Sequence, residues 1–148
     1  MKVVANNKKA NHDYFIENTF ECGIVLKGTE IKSVREGKVA IKDAYCLIRN
    51  NEMFVINMHI SRYDHGNIFN HDETRTRKLL LHKKEIIKIS NKVNQNALVV
   101  VPLKVYIDRG LCKVEIALGK GKKNYDKRES LKEKDMKRSV EIALKERY

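Results

Sequence analysis

The sequence predicts a mainly β domain with short flanking helices and a basic C-terminal tail. Three observations predict it. Apolar residues alternate with polar ones in several short runs, the period of half-buried strands. Asn, Asp and Gly pairs punctuate those runs where tight turns belong. The last 30 of the 148 residues then change character, with 11 Lys/Arg against 6 Asp/Glu and few large apolar groups. Several short strands with helices between them close most simply into a small OB-like barrel. A chain of roughly 150 residues can bury about two thirds of its unfolded surface, enough for a real core.

Each element follows from local pattern. Tyr14, Ile16, Asn18, Phe20, Cys22, Ile24 and Leu26 occupy alternate positions, with Glu17, Thr19 and Glu21 between them. That is a strand with one buried face. Gly28-Thr29 opens a short helix over residues 30–36, with Thr29 as N-cap and Gly37 as C-cap. A hairpin follows: Ala44, Cys46 and Ile48 alternate on one arm, and Phe54, Ile56, Met58 and Ile60 on the other. Asn50-Asn51 is its turn, because Asn tolerates positive φ. Residues 61–73 read as a polar loop. A helix is predicted between residues 74 and 93, where Leu79, Ile86, Ile89 and Val93 share one stripe.

Two strands follow Asn96. Val99, Val101, Leu103, Val105 and Ile107 alternate, as do Cys112, Val114, Ile116 and Leu118, around an Asp108-Arg109-Gly110 turn. Pro102 cannot donate to a ladder, so it belongs at an edge or a bulge. Beyond Leu118, Asp126 and Glu129 have the spacing of a capping box. Glu133–Lys137 and Glu141–Lys145 are i,i+4 pairs. Isolated helices this short are marginal in water. The chain therefore divides into a body, residues 1–118, and a tail, residues 119–148, disordered or partly helical until bound.

Charge narrows the function. The chain carries Lys+Arg 31 against Asp+Glu 19, a net +12. Such a balance serves solubility or a polyanion, and nucleic acid is the commonest polyanion. No apolar run approaches the roughly 18 residues of a membrane span. Residues 1–9 hold no signal-peptide core. Three well-separated cysteines with no CxxC are neither a disulfide framework nor a zinc site, and they suit a reducing cytoplasm. No HExxH, phosphate loop or nucleophile elbow is present, so no catalytic residue, metal or cofactor is expected. Asp64-His65 and His71-Asp72 bracket one loop and leave a metal-dependent RNA-processing enzyme as an alternative, although no third ligand completes a set.

Two basic regions stand out. Arg75 and Arg77 suit phosphates or carboxylates, whose geometry matches the guanidinium fork. Lys120, Lys122, Lys123, Lys127 and Arg128 surround Tyr125 and Asp126. Gly119 and Gly121 allow close backbone approach, and Tyr125 can stack on a base. Glu21 and Lys113 lie on the polar faces of their strands. A carboxylate facing RNA is repelled by phosphate, so it would accept from base amino or imino groups or a 2′-OH.

Five ordered motifs carry a resemblance. They are Asn7-Lys8-Lys9-Ala10-Asn11-His12-Asp13-Tyr14-Phe15-Ile16-Glu17, Glu21-Cys22-Gly23-Ile24-Val25-Leu26-Lys27-Gly28-Thr29-Glu30-Ile31-Lys32-Ser33, Thr74-Arg75-Thr76-Arg77-Lys78-Leu79-Leu80-Leu81, Val101-Pro102-Leu103-Lys104-Val105-Tyr106, and Gly119-Lys120-Gly121-Lys122-Lys123-Asn124-Tyr125-Asp126-Lys127-Arg128-Glu129. Together they cover nearly the whole chain, and the sequence resembles the SsrA-binding protein family, SmpB. The resemblance implies an OB-like barrel that binds the tRNA-like domain of tmRNA and stands in for the missing anticodon arm. It implies trans-translation, the rescue of stalled bacterial ribosomes, by a factor that is not an enzyme. It also implies a tail that enters the decoding centre and the empty message channel, against ribosomal RNA of the small subunit. Elongation factor Tu and alanyl-tRNA synthetase would be indirect partners through tmRNA, with no membrane involved. Carried over by motif, Asn7, Glu21, Leu80 and Lys113 match positions of the RNA-binding body, with Lys8, His12, Tyr14, Lys120, Gly121, Lys122 and Lys123 on the same surface. Tyr125, Asp126, Lys127 and Arg128 match the stretch that meets the decoding centre. Glu73 stands where the family usually has proline, and Ala97 where it often has glycine. A generic OB-type RNA-binding protein without a rescue role is the alternative.

Overall fold

The computed structural model describes residues 1–63 and 70–122. In chain order it runs β1 (Lys2–Asn6), α1 (Lys8–Asp13), β2 (Tyr14–Ile24), α2 (Gly28–Arg35), β3 (Val39–Ala40), β4 (Tyr45–Arg49), β5 (Glu52–Ile56), β6 (His59–Ile60), β7 (Arg77–Leu80), α3 (Lys83–Asn96), β8 (Val99–Asp108) and β9 (Leu111–Gly121). Hydrogen-bonded pairs lead from β8 through β4, β5, β7, β2 and β9 back to β8, all antiparallel, and β1 adds to β8. This is the expected OB-like barrel. Its ring is thinnest at β4–β8, held by the single pair Cys46–Val100. A small separate pair, β3–β6, lies outside the ring.

Both predicted hairpin turns are present. Asn50 and Asn51 have φ of 52° and 61°, and Arg109 and Gly110 have φ of 52° and 77°. Positive φ at both central residues is the turn whose twist matches that of the strands it joins. The β8–β9 turn sets a register that runs from Asp108–Leu111 to Tyr106–Lys113 and on to Val99–Gly119. Cys112, Val114, Ile116 and Leu118 all enter the core as their alternation predicts.

The arm Ala44, Cys46 and Ile48 also packs as its alternation predicts, but shifts of phase overturn the remaining alternations. On β5 the buried residues are Met53 and Val55, not Phe54 and Ile56. Asn57 then takes φ of 61°, and the chain re-enters with Met58 and Ile60 inside. On β8 Val99 is exposed and Val100 is in the core. A bulge between Pro102 and Lys104 precedes Val105, which is again in the core. Pro102 therefore sits at a bulge, but in a strand with neighbours on both sides. A bulge between Ile16 and Asn18 divides β2 likewise. Cys22 packs inside with Phe20 and Ile24 against the core, whereas Tyr14 and Ile16 pair with Gly121 and Gly119, three and one residues past the last core rung at Leu118.

Helix boundaries also differ. The segment Arg77–Leu80 is a strand, paired with β5 and β2, so Leu79 reaches the core from a sheet. Pairing on both sides outweighs any local helical preference there. Helix α3 starts after His82 and presents Ile86 and Ile89 inward. It ends on Ala97 at φ 51°, the left-handed position that glycine fills without strain. Helix α2 is capped at Lys27, not Thr29, because Glu30 Oε1 accepts from the Lys27 amide at 2.7 Å. Gly37, at φ 77°, follows the C-cap Glu36. Strand β1 and helix α1 were not anticipated, and β9 continues three residues past Leu118, to Gly121. No helix among the described residues is long and apolar enough to cross a membrane.

Candidate nucleic-acid interface

One row of Cα partners crosses the barrel wall: Leu80 on β7, Gly23 on β2, Lys113 on β9, Tyr106 on β8 and Val3 on β1. Partners in a row share a face, and this row alternates with core residues Leu79, Cys22, Val114 and Val105. It therefore lies on the outside. Leu80 is 51% exposed there, and a Cβ at Gly23 would come within 3.3 Å of the Leu80 Cβ. The absence of a side chain at Gly23 gives the leucine its room.

Glu21 lies on the same outer face, two residues from Gly23. Lys113 Nζ donates to Glu21 Oε1 at 2.8 Å, and the Tyr106 hydroxyl donates to Oε2. The phenol is buried, with Tyr106 only 3% exposed, while the carboxylate is open to solvent. Lys113 first, then Tyr106, holds the Glu21 carboxyl below the usual carboxylate range. Glu21 in turn holds the Lys113 ammonium above its ordinary value. Burial, reinforced by Glu21, pushes the Tyr106 phenol up. The result is a carboxylate that stays ionised, is fixed at both oxygens, and keeps lone pairs facing water. Such a group accepts from amino, imino or hydroxyl donors.

The expected residues at the other end of the barrel wall have mixed placements. Asn7 is buried, and both ends of its amide are used. Its Oδ1 accepts from Ala10 N at 3.1 Å, capping α1, and its Nδ2 donates to Pro102 O at 2.9 Å. Asn7 thus pins α1 to β8 and carries Lys8 and His12 to the surface rather than facing a ligand itself. His12 Nδ1 lies 3.0 Å from Asp13 Oδ1. Tyr14 lies across Gly119, whose hypothetical Cβ would sit 2.9 Å from the Tyr14 Cβ. Lys120 and Gly121 are strand residues, paired with Phe15 and Tyr14. Lys122 ties the strand end back to α1: its amide donates to Asp13 O at 2.8 Å and its Nζ to Asn11 O at 3.0 Å. Lys123, Tyr125, Asp126, Lys127 and Arg128 lie outside the described residues. So the structure gathers Glu21, Lys113 and Leu80 in one patch, and Lys8, His12, Tyr14, Lys120, Gly121 and Lys122 around α1 and the end of β9.

Arg75 and Arg77 serve structure rather than phosphate. Glu30 and Arg77 are fully buried. Glu30 accepts from Arg75 Nη2 at 2.6 Å and from Arg77 Nε, while Arg77 Nη1 donates to Met58 O at 2.6 Å. Burial alone would raise the Glu30 carboxyl, but its bonds from Arg75, the Lys27 amide and Arg77 outweigh it, and the net direction is downward. His71 is buried beside this cluster. Its Nε2 lies 2.9 Å from Ile60 O and its Nδ1 2.8 Å from Thr29 Oγ1. A carbonyl can only accept, so Nε2 carries a proton, and in the neutral ring Thr29 donates to Nδ1. His71 is thus turned inward, away from the metal site its sequence position allows. Asp64 and His65 lie outside the described residues. Among the described residues no group of three His, Cys, Asp or Glu could hold a metal. Cys22, Cys46 and Cys112 are free and buried. Burial pushes their thiols up, Cys112 to about 11 and Cys22 to about 12.

Tyr106 and Gly23 are the site residues that sequence reasoning passed over. Both were legible. Counting outward from the Arg109-Gly110 turn places Tyr106 opposite Lys113, beside the glutamate that lysine holds.

An OB-like barrel with a carboxylate fixed by a lysine and a tyrosine on its outer wall, in a chain of net charge +12, fits the class of small RNA-binding proteins. Comparison with known proteins makes it specific. The family model described as "SmpB protein" matches residues 4–146. A relative named SsrA-binding protein from Shouchella clausii (strain KSM-K16) is 62% identical over 146 residues, covering 99% of this chain and 94% of its own. The SsrA-binding proteins of Geotalea uraniireducens (strain Rf4) and Bacillus subtilis (strain 168) are 58% and 57% identical, covering 99% and 98% of this chain and 97% and 93% of their own. A solved chain described under "tmRNA-SmpB: a journey to the center of the bacterial ribosome" superposes with a TM-score of 0.70 at 42% identity, over 88% of this chain and 95% of that one. The chain belongs to the SmpB family.

Proposed function

We propose that this chain binds the tRNA-like domain of tmRNA and, with it, rescues stalled bacterial ribosomes by trans-translation in the cytoplasm. It acts by binding and positioning, not by catalysis. The carrying observation is family membership over residues 4–146, with relatives that share the printed name SsrA-binding protein across nearly their full length. The barrel body substitutes for the missing anticodon arm. Its contacts are Glu21, Lys113 and Leu80 on one patch and Lys8, His12, Tyr14, Lys120, Gly121 and Lys122 on the other, with Asn7 holding α1 in place. The segment with Lys123, Tyr125, Asp126, Lys127 and Arg128 meets the decoding centre and small-subunit ribosomal RNA. Elongation factor Tu and alanyl-tRNA synthetase are engaged only through tmRNA.

The test is a titration of the full chain against the tRNA-like domain and against a generic hairpin at several salt concentrations. Neutralising about five phosphates gives a slope of log K against log salt near −4 to −5. Preference for the tRNA-like domain at every salt concentration is the expected result. Equal affinity for the two RNAs sinks the rescue reading and leaves a generic RNA binder.

Glu21 has a test whose sign separates two roles. As an acceptor from base or ribose donors, Glu21→Gln weakens binding of the tRNA-like domain by about tenfold or more. Tyr106→Phe weakens it in the same direction, because Glu21 loses one of its two anchors. A glutamate merely near the phosphates repels them, so removing its charge would strengthen binding. Tighter binding by Glu21→Gln therefore rejects the acceptor role.

A further inference from the structure

Phe15 belongs neither to the core nor to the packing around it. It is 47% exposed, although a phenylalanine gains most from burial. Its Cα partner across the strands is Lys120, so the two side chains share a face. Lys122 Nζ sits 5.0 Å from the ring centroid, a cation over an aromatic face. That ammonium is held in place, since it also donates to Asn11 O at 3.0 Å and its own amide donates to Asp13 O at 2.8 Å. The ring is therefore fixed on a rigid strand, covered by one lysine, paired with another, and still half open.

An exposed aromatic between lysines has the chemistry of a single-stranded RNA contact. The ring stacks on the face of a base, which every base offers, and the ammonium groups meet the adjoining phosphates. Within a duplex the base faces are stacked, so the nucleic-acid partner that fits such a ring is an unpaired nucleotide. We propose that Phe15 is a stacking platform for one unpaired base of the bound RNA, with Lys120 and Lys122 on the flanking phosphates. The proposal rests on the RNA-binding reading above and adds to it a residue and a ligand feature.

The chain contains no tryptophan, which supplies a direct readout. Phe15→Trp places a single indole on the platform. Saturating amounts of the tRNA-like domain should quench its emission strongly, whereas a blunt duplex of equal length should not. Phe15→Leu keeps apolar bulk but no π face. It should weaken binding of the tRNA-like domain by roughly 5- to 150-fold, the range for loss of one base stack, with the salt slope unchanged. Lys120→Ala should instead reduce that slope by about 1. Unchanged indole emission under conditions where gel shift shows saturation, or Phe15→Leu within twofold of wild type, overturns the stacking role. Those outcomes are distinct from loss of wild-type preference for the tRNA-like domain, which overturns the function reading instead.

Discussion

Glu30→Gln destabilises this chain by about 3–5 kcal/mol, a large share of the 5–15 kcal/mol that holds a typical domain folded. Glu30 and Arg77 are both fully buried, and Glu30 is the only carboxylate bonded to the Arg77 guanidinium among the described residues. A neutral amide of similar shape keeps the packing but leaves the arginine charge buried without its counter-ion. Most of the cost is that stranded charge rather than the worth of the pair. Urea melts measure it: the midpoint should fall while the slope with denaturant stays constant. A loss below about 1 kcal/mol contradicts the buried-pair account, because that is the scale of an exposed pair.

The same pair has a pH signature. The folded Glu30 carboxyl lies below its unfolded value. Its contribution is therefore complete above the unfolded value of about 4.3 and is lost as pH falls through the folded value. The gap between wild type and Glu30→Gln should be constant from pH 8 to 5 and narrow below about pH 4. A gap that persisted unchanged into strong acid would exclude Glu30 ionisation as its source.

A chain ending at Lys122 should keep most RNA binding and lose rescue. Residues 123–148 hold 9 Lys/Arg against 6 Asp/Glu, so the cut removes only +3 of the +12. Affinity for the tRNA-like domain should fall by tenfold or less, with a slightly shallower salt slope. Tagging of nascent chains on ribosomes stalled without a stop codon should disappear, measured by counting tagged product in a reconstituted translation mixture. Full tagging by the shortened chain rejects the tail mechanism. The position of the cut matters. Ending the chain at Leu118 would also delete Gly119, Lys120 and Gly121, which pair with Ile16, Phe15 and Tyr14. A defect in that variant would mix loss of the tail with damage to β2 and α1.

Strand β9 and its hairpin were read in the sequence almost residue by residue. Its alternation is uninterrupted and its turn is a strong local signal. Helix α2 was plain apart from its cap, and the Asn50-Asn51 turn was equally plain. Strand β1, helix α1 and strand β7 were not. Each is short, and each is stabilised mainly by what it pairs with: β1 by β8, α1 by the amide of Asn7 on Pro102, β7 by β5 and β2. Periodicity misled where a bulge or a positive φ shifted the phase, at Ile16–Asn18, at Asn57 and after Pro102. A one-residue shift moves every later side chain to the opposite face. That is how Phe54 and Ile56 came to be read as core in place of Met53 and Val55.

The candidate site divides in the same way. Motif order brings out Glu21, Lys113 and Leu80, which the fold places on one outer face. It also brings out Asn7, whose side chain caps α1 and bonds to Pro102.

By itself the sequence determined the family, the strand-rich class and the basic balance. Composition and ordered motifs are properties of the chain alone, so no fold is needed to read them. Only the tertiary structure decided that Arg77, unlike Lys113, faces inward. Arg77 and Lys113 are both cations on strands beside a glutamate. The inward face of β7 buries Arg77 against Glu30, while the outward face of β9 leaves Lys113 and Glu21 in water. Burial converts one pair into a structural lock and solvent exposure keeps the other available to a ligand. Sequence distance cannot show that difference, because it is set by the partners each strand meets across the barrel.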